Sequence, residues 1–185
     1  MKFTSPDAMT RRAVLAGLAL GGITLGAGLT GCSGSQKGDG DVDSSWVTAE
    51  VGHVSVRHPA EWVEKESSSK IFTKMFTNGT SSMLIAGDFS SNTDPVLAYG
   101  KLDAQSVGVL EGYHSKGHEE ITVKGAAKAV KCPFQYTQDG KTAYGWWLIA
   151  SGAAPIGGTS VVSINLPTDD SDTVDKIVST MELSR

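Results

Sequence analysis

Residues 127–150 read AKAVKCPFQYTQDGKTAYGWWLIA, and this stretch decides the fold. Two apolar-rich runs, Ala127 to Thr137 and Thr142 to Ala150, flank Gln138-Asp139-Gly140-Lys141. An Asp-Gly pair between such runs is a strong hairpin signal, because the tightest turns need a positive φ at both central residues. The middle of the chain is therefore expected to be a long antiparallel hairpin. Trp146 and Trp147 are neighbours on its second strand, so they face opposite sides of the sheet. One should enter the core, while the other faces outward or packs beneath a helix.

Upstream of the hairpin, Trp46 to Val51 and His53 to His58 both alternate, with Val54, Val56 and His58 on one face. Ile71 to Phe76 and Met83 to Phe89 read as two further strands around a turn at Asn78-Gly79. Asp94 can cap a helix whose first position suits Pro95. Val96, Leu97, Leu102, Val107 and Leu110 then recur at helical spacing, giving a helix over 95–111 that Gly100 and Gly108 weaken.

Downstream, Ile121 to Lys124 and Thr159 to Leu166 read as strands. Pro167-Thr168-Asp169-Asp170 leads into a closing helix whose inner face carries Val174, Ile177, Val178 and Met181. No repeat or βαβ alternation is present. Strands, a helix, more strands and a final helix give an α+β class, an antiparallel sheet with helices packed on it.

The first 31 residues carry a different message. Thr10-Arg11-Arg12-Ala13-Val14-Leu15 sets two arginines before an apolar run that ends near Leu29. This resembles a twin-arginine export signal, although an ordinary secretory signal that happens to hold two arginines stays open, as does a start at Met9 rather than Met1. The run is short and rich in glycine, which suits a signal better than a permanent membrane helix. It closes on Leu29-Thr30-Gly31-Cys32, which matches a lipobox.

There the Cys32 thiol would accept a diacylglyceryl group before cleavage frees its amine. Two or more acyl chains anchor a protein stably, whereas one binds marginally. Residues 1–31 are thus expected to be a cleaved signal peptide and residues 32–45 a flexible tether. A tether of this Gly/Ser/Asp composition has a reach of about 20 Å. Residues 46–185 would be the globular domain, on the extracytoplasmic face of the cell membrane.

The formal net charge is −4, and losing Lys2, Arg11, Arg12 and Asp7 with the leader makes the remainder more acidic. Scattered lysines on an acidic domain give no basic face for nucleic acid. Only two cysteines occur. With Cys32 committed to lipid, Cys132 is either a small buried apolar residue or a reactive thiol. No histidine neighbours it and Pro133 follows, which favours burial.

Val54-Ser55-Val56-Arg57-His58-Pro59-Ala60-Glu61-Trp62 resembles the opening motif of PsbP-like domains, in which a strand enters a Pro-x-x-Trp turn. Val162-Ser163-Ile164-Asn165-Leu166-Pro167, with the helix through Asp175-Lys176-Ile177-Val178-Ser179-Thr180, resembles that family's C-terminal strand and helix. Within the family, the LpqN/LpqT-like actinobacterial lipoproteins are most similar, because they share a lipobox and a short tether. The resemblance implies a PsbP-like α/β/α sandwich, one antiparallel sheet between helices, with Trp62 structural. It carries over no catalytic residues, and its members mostly bind other proteins.

The remaining candidates are weak. His114 and His118 stand four apart beside Glu119 and Glu120, yet Gly112 and Gly117 flank them, so a solvated loop outweighs a metal site. The Gly152 to Gly158 stretch lacks the lysine and helix start of a phosphate loop. Asp88, Asp94 and Asp103 are dispersed, and no Gly-x-Ser-x-Gly elbow is present.

Trp146 and Trp147 are the ligand-binding candidates, since an exposed Trp could stack on a sugar ring or a lipid. No catalytic or metal site is expected, and no cofactor beyond the covalent lipid on Cys32. The expected function is a non-catalytic binding module for an envelope protein. The alternative is a carrier or sensor of a small hydrophobic or glycan ligand, and an enzyme ranks third. An apolar patch beside one of the tandem tryptophans would favour the first, and a cavity between sheet and helix the second.

Overall fold

The computed structural model of the chain describes residues 45–184. These form strands β1 (Trp46–Val51), β2 (Val54–Pro59), β3 (Val63–Lys65), β4 (Lys74–Thr77) and β5 (Ser82–Ser90), then helix α1 (Pro95–Val107). Short strands β6 (His114–Ser115) and β7 (Glu119–Ile121) precede the long pair β8 (Ala126–Gln138) and β9 (Lys141–Gly152). Strand β10 (Thr159–Leu166), helix α2 (Ser171–Thr180) and strand β11 (Glu182–Leu183) complete the order.

The hairpin forms where its turn chemistry requires. Asp139 and Gly140 take φ of 51° and 72°, and Gln138 pairs with Lys141 across the turn. Helix α1 starts where its cap allows: the Asp94 carboxylate accepts a hydrogen bond from the Val96 amide at 2.9 Å, with Pro95 in the first turn. It stops at Gly108, short of the expected 111. Asp170 caps α2 in the same way, accepting from the Thr173 amide at 3.1 Å.

Two antiparallel sheets result. The larger runs β3-β4-β5-β10-β9-β8-β6, with β7 also paired to β8, and the smaller runs β1-β2-β11. The first core fills the space between one face of the large sheet and the small sheet with α2. Val56, Ile85, Trp146, Leu148, Ile164 and Ile177 are buried there. The second core lies on the other face, where Ala98 and Leu102 of α1 pack on Val130, Trp147, Ile149 and Val161.

This corrects the expected α/β/α sandwich. The described residues are mostly antiparallel β-sheet with two helices, not a sheet sandwiched by helices. The physical reason lies in the first two strands. They turn back at Gly52, φ 57°, pair only with each other and with β11, and bury Val54, Val56 and His58 inward. A second sheet therefore covers much of the face that a helix was expected to cover. Gly87 permits the approach, since a side chain there would strike the Val51 carbonyl.

Candidate functional site

Cross-strand registers place the site. On the α1 side of the large sheet, one row runs Val130, Ile149, Val161 and Ala86 across β8, β9, β10 and β5. The next row runs Cys132, Trp147, Ser163, Leu84, and the third Phe134, Gly145, Asn165, Ser82. Helix α1 packs on the first row and leaves the others partly open. An apolar cleft of about 530 Å³ results, floored by Leu84, Phe134, Trp147 and Ser163 and walled by Leu102 of α1.

Gly145 shapes the floor. A side chain at this position would collide with the Phe134 ring, which instead lies over the bare backbone and reaches Trp147 at 4.4 Å between ring centroids. At the rim, Val109 is 81% exposed and Ile71 38%. Val107, 68% exposed, lies two residues before Val109.

The polar groups of the cleft are few and uncharged. Ser163 is only 5% exposed and lines the cleft. Asn165 donates to the Ser82 hydroxyl at 3.4 Å. Past Leu110 and Asn165 a second cleft of about 380 Å³ continues, with Thr77, Ser81 and Gln138 in its wall. Neither cleft has a Lys, Arg, Asp or Glu in its lining, although such residues make up 19% of the chain.

Two hydrogen bonds hold α1 beside the cleft. The Tyr99 and Ser115 hydroxyls meet at 2.7 Å, tying the helix to β6, and Tyr113 donates to the Asp103 carboxylate at 2.6 Å. Burial and then the Asp103 hydrogen bond push the Tyr113 phenol well above its ordinary range, so it remains a protonated donor and serves as a brace. Cys132 is 1% exposed in the second core, and burial, with the Asp103 charge, pushes its thiol up to about 12. It packs as an apolar residue.

The other sequence candidates separate. Trp146 lies in the first core and Trp147 in the second, both buried, with Trp147 at the cleft floor beneath the helix side. Trp62 is buried and stacks on His58 with ring centroids 6.5 Å apart. The stretch expected as a solvated loop holds β6 and β7; His114 sits exposed on β6, while the His118 ring lies 5.4 Å from that of Tyr99.

Among the described residues no three His, Cys, Asp or Glu side chains group closely enough to hold a metal ion. Asp94 is spent on a helix cap and Asp103 on Tyr113. Arg11, Arg12, Leu29, Gly31 and Cys32 lie outside the described residues.

A small sheet on one face of a larger one, with α1 on the other face, has a counterpart among solved structures. The fold is LpqN-like. LpqN, described as involved in cell envelope biogenesis of Mycobacterium tuberculosis, superposes with a TM-score of 0.50 at 15% identity, covering 76% of this chain and 92% of LpqN. At that identity the likeness concerns fold alone.

A Bacteroides thetaiotaomicron protein follows at TM-score 0.49 and 14% identity, covering 72% of this chain and 46% of its own. Pseudomonas aeruginosa protein PA94, of unknown function, stands at TM-score 0.39 and 13% identity, covering 71% and 90%. No protein-family model matches the chain, and no curated protein matches its sequence.

Sequence reasoning missed Phe134, Gly145, Ser163 and Val109 as site residues. Two signals were present: Gly145 stands opposite Phe134 once the Asp-Gly turn fixes the register, and Val109 follows the helix-ending Gly108.

Proposed function

We propose that this chain is an envelope lipoprotein whose domain is a non-catalytic binding module for an envelope protein, acting through the α1 face. The observation that carries the reading is the apolar cleft beside Trp147 with Val109 and Ile71 standing exposed at its mouth. Exposed apolar surface of this kind, rimmed by polar surface, marks interaction sites. The export signal and lipobox support an extracytoplasmic domain held to the membrane by lipid on Cys32. The LpqN-like fold is in keeping with a place in the envelope.

Labelling with radioactive palmitate, followed by membrane fractionation, tests the anchoring. The protein should carry label in the membrane fraction and lose both on Cys32→Ala. Label that survives that substitution would exclude Cys32 as the acceptor. Changing Arg11 and Arg12 to Lys should stop export by the twin-arginine route; continued export would assign the general secretory route.

A second reading, a carrier of a small hydrophobic or glycan ligand, is favoured by a specific observation. Ser163 and Asn165 place a few uncharged polar groups in a mostly apolar cleft of about 530 Å³, a size and polarity suited to a small molecule. Native mass spectrometry of protein purified gently from its own envelope separates the two. A bound mass lost on denaturation supports the carrier; a bare polypeptide mass supports the protein-binding module.

A further inference from the structure

Strands β5 and β10 lose register at the start of β10. Thr159 pairs with Ser90 and Val161 with Ala86, so Gly87, Asp88 and Phe89 bulge opposite Ser160 alone. Bulges bend a strand and re-aim its side chains. A cavity of about 570 Å³ lies here, lined by the bulge and by Ile156, Gly157 and Gly158 of the loop between β9 and β10. Gly158, at φ 65°, approaches β5 so closely that a side chain there would strike the Ser90 carbonyl. The cavity shares no lining residue with the α1 cleft.

One group in this lining is unexplained by the fold. Thr159 is 2% exposed, and its hydroxyl has no hydrogen-bond partner among the described residues. A buried hydroxyl left unpaired is costly, and native proteins seldom keep one without a use. The adjacent Ser160, by contrast, donates its hydroxyl to the Gly87 carbonyl. The bulge therefore does not by itself strand hydroxyls.

The rest of the lining selects the ligand. Asp88 is its only charged residue, exposed and taking no part in the ion pairs of the described residues. No Lys, Arg or His lines the cavity, so an anion would meet the carboxylate with nothing to offset it. Lys101 lies over the Phe89 ring at 5.3 Å but is not part of the lining. A bare metal ion fits no better, since Asp88 supplies a single carboxylate and the space greatly exceeds an ion. Phe89 and Ile156 offer apolar wall to a carbon skeleton.

We propose that this cavity binds a small organic ammonium compound, its cationic nitrogen on the Asp88 carboxylate and a second polar group on the Thr159 hydroxyl. The test is calorimetric titration of the full chain, extracted in a neutral detergent, with tyramine and with tyrosol, in which a hydroxyl replaces the ammonium. Tyramine should bind with one-to-one saturation. Tyrosol should bind about fivefold more weakly, the worth of one partly exposed ion pair. Asp88→Asn should remove that difference.

Thr159→Val keeps the shape and drops the hydroxyl, so it should weaken both ligands by about fivefold. Because the hydroxyl has no internal partner, this variant should unfold at the same urea concentration as the unsubstituted chain, or a higher one. Absence of saturable tyramine binding overturns the inference. Equal binding of tyramine and tyrosol overturns it too and gives the cavity to a neutral ligand. A destabilised Thr159→Val chain would show the hydroxyl bonded within the fold, with the same consequence. None of these outcomes removes the reading of the α1 face, which crosslinking in cells tests separately.

Discussion

Phe134 stands directly opposite Gly145 on the neighbouring strand, and its ring fills the space that a side chain at 145 would need. The ring is also held by Trp147 at 4.4 Å and Tyr113 at 5.7 Å, so it has little room to retreat. The floor of the cleft is thus set by a missing side chain.

Gly145→Ala should therefore destabilise the domain by about 1–3 kcal/mol, the usual range for overpacking a filled core. Urea unfolding measures it. Adding Phe134→Leu should recover part of the loss. An alanine tolerated without change would mean that the ring is free to move, and the described floor would be wrong.

His58 gives a pH dependence. It is 2% exposed against Phe76 and Trp62, and its Nδ1 lies 2.8 Å from the Pro59 carbonyl. Burial lowers its pKa from the ordinary 6.5, outweighing the Pro59 hydrogen bond and the Glu61 charge, both of which raise it. The unfolded chain then binds the proton more readily than the folded one.

The stability His58 contributes should be fully present above pH 6.5 and lost as pH falls from there through the lowered folded value. Urea midpoints measured against pH should show this fall, and His58→Phe should flatten it. Equal slopes for both proteins would place the proton-sensitive group elsewhere.

Cys132 should be inert in the folded protein. Its thiol, moved from 9.0 to about 12, holds about a thousandfold less thiolate than an ordinary cysteine at neutral pH, and the core excludes reagent. A thiol-specific dye should label it only in denaturant. Rapid labelling of the native protein would show that the second core opens.

Much of the fold was legible because local chemistry left few choices. Asp139-Gly140 fixed a turn, its turn fixed the register, and the register placed Trp146 and Trp147 on opposite faces. Strand β10 and the caps of both helices follow equally local rules. What failed was assignment at a distance. Alternation in Trp46 to Val51 marks a strand, but nothing local says that it joins a separate sheet closed by Leu183 pairing with Val54.

The candidate site was less legible for the same reason. The tandem tryptophans drew attention, yet Ser163 and Leu84 reach Trp147 only through the strand order β5-β10-β9, which joins residues far apart in the chain. Strands of two or three residues, such as β6 and β7, are too short to show a period.

The most direct test of a binding module acting through the α1 face is site-specific photocrosslinking in intact cells. A photoreactive residue would replace Val109, at the cleft mouth, or Thr48, an exposed position on β1 of the small sheet. The account predicts a discrete protein adduct from position 109, lost when Ile71→Asp charges the rim, and none from position 48. Adducts of equal yield from both positions, or none from position 109, would contradict it.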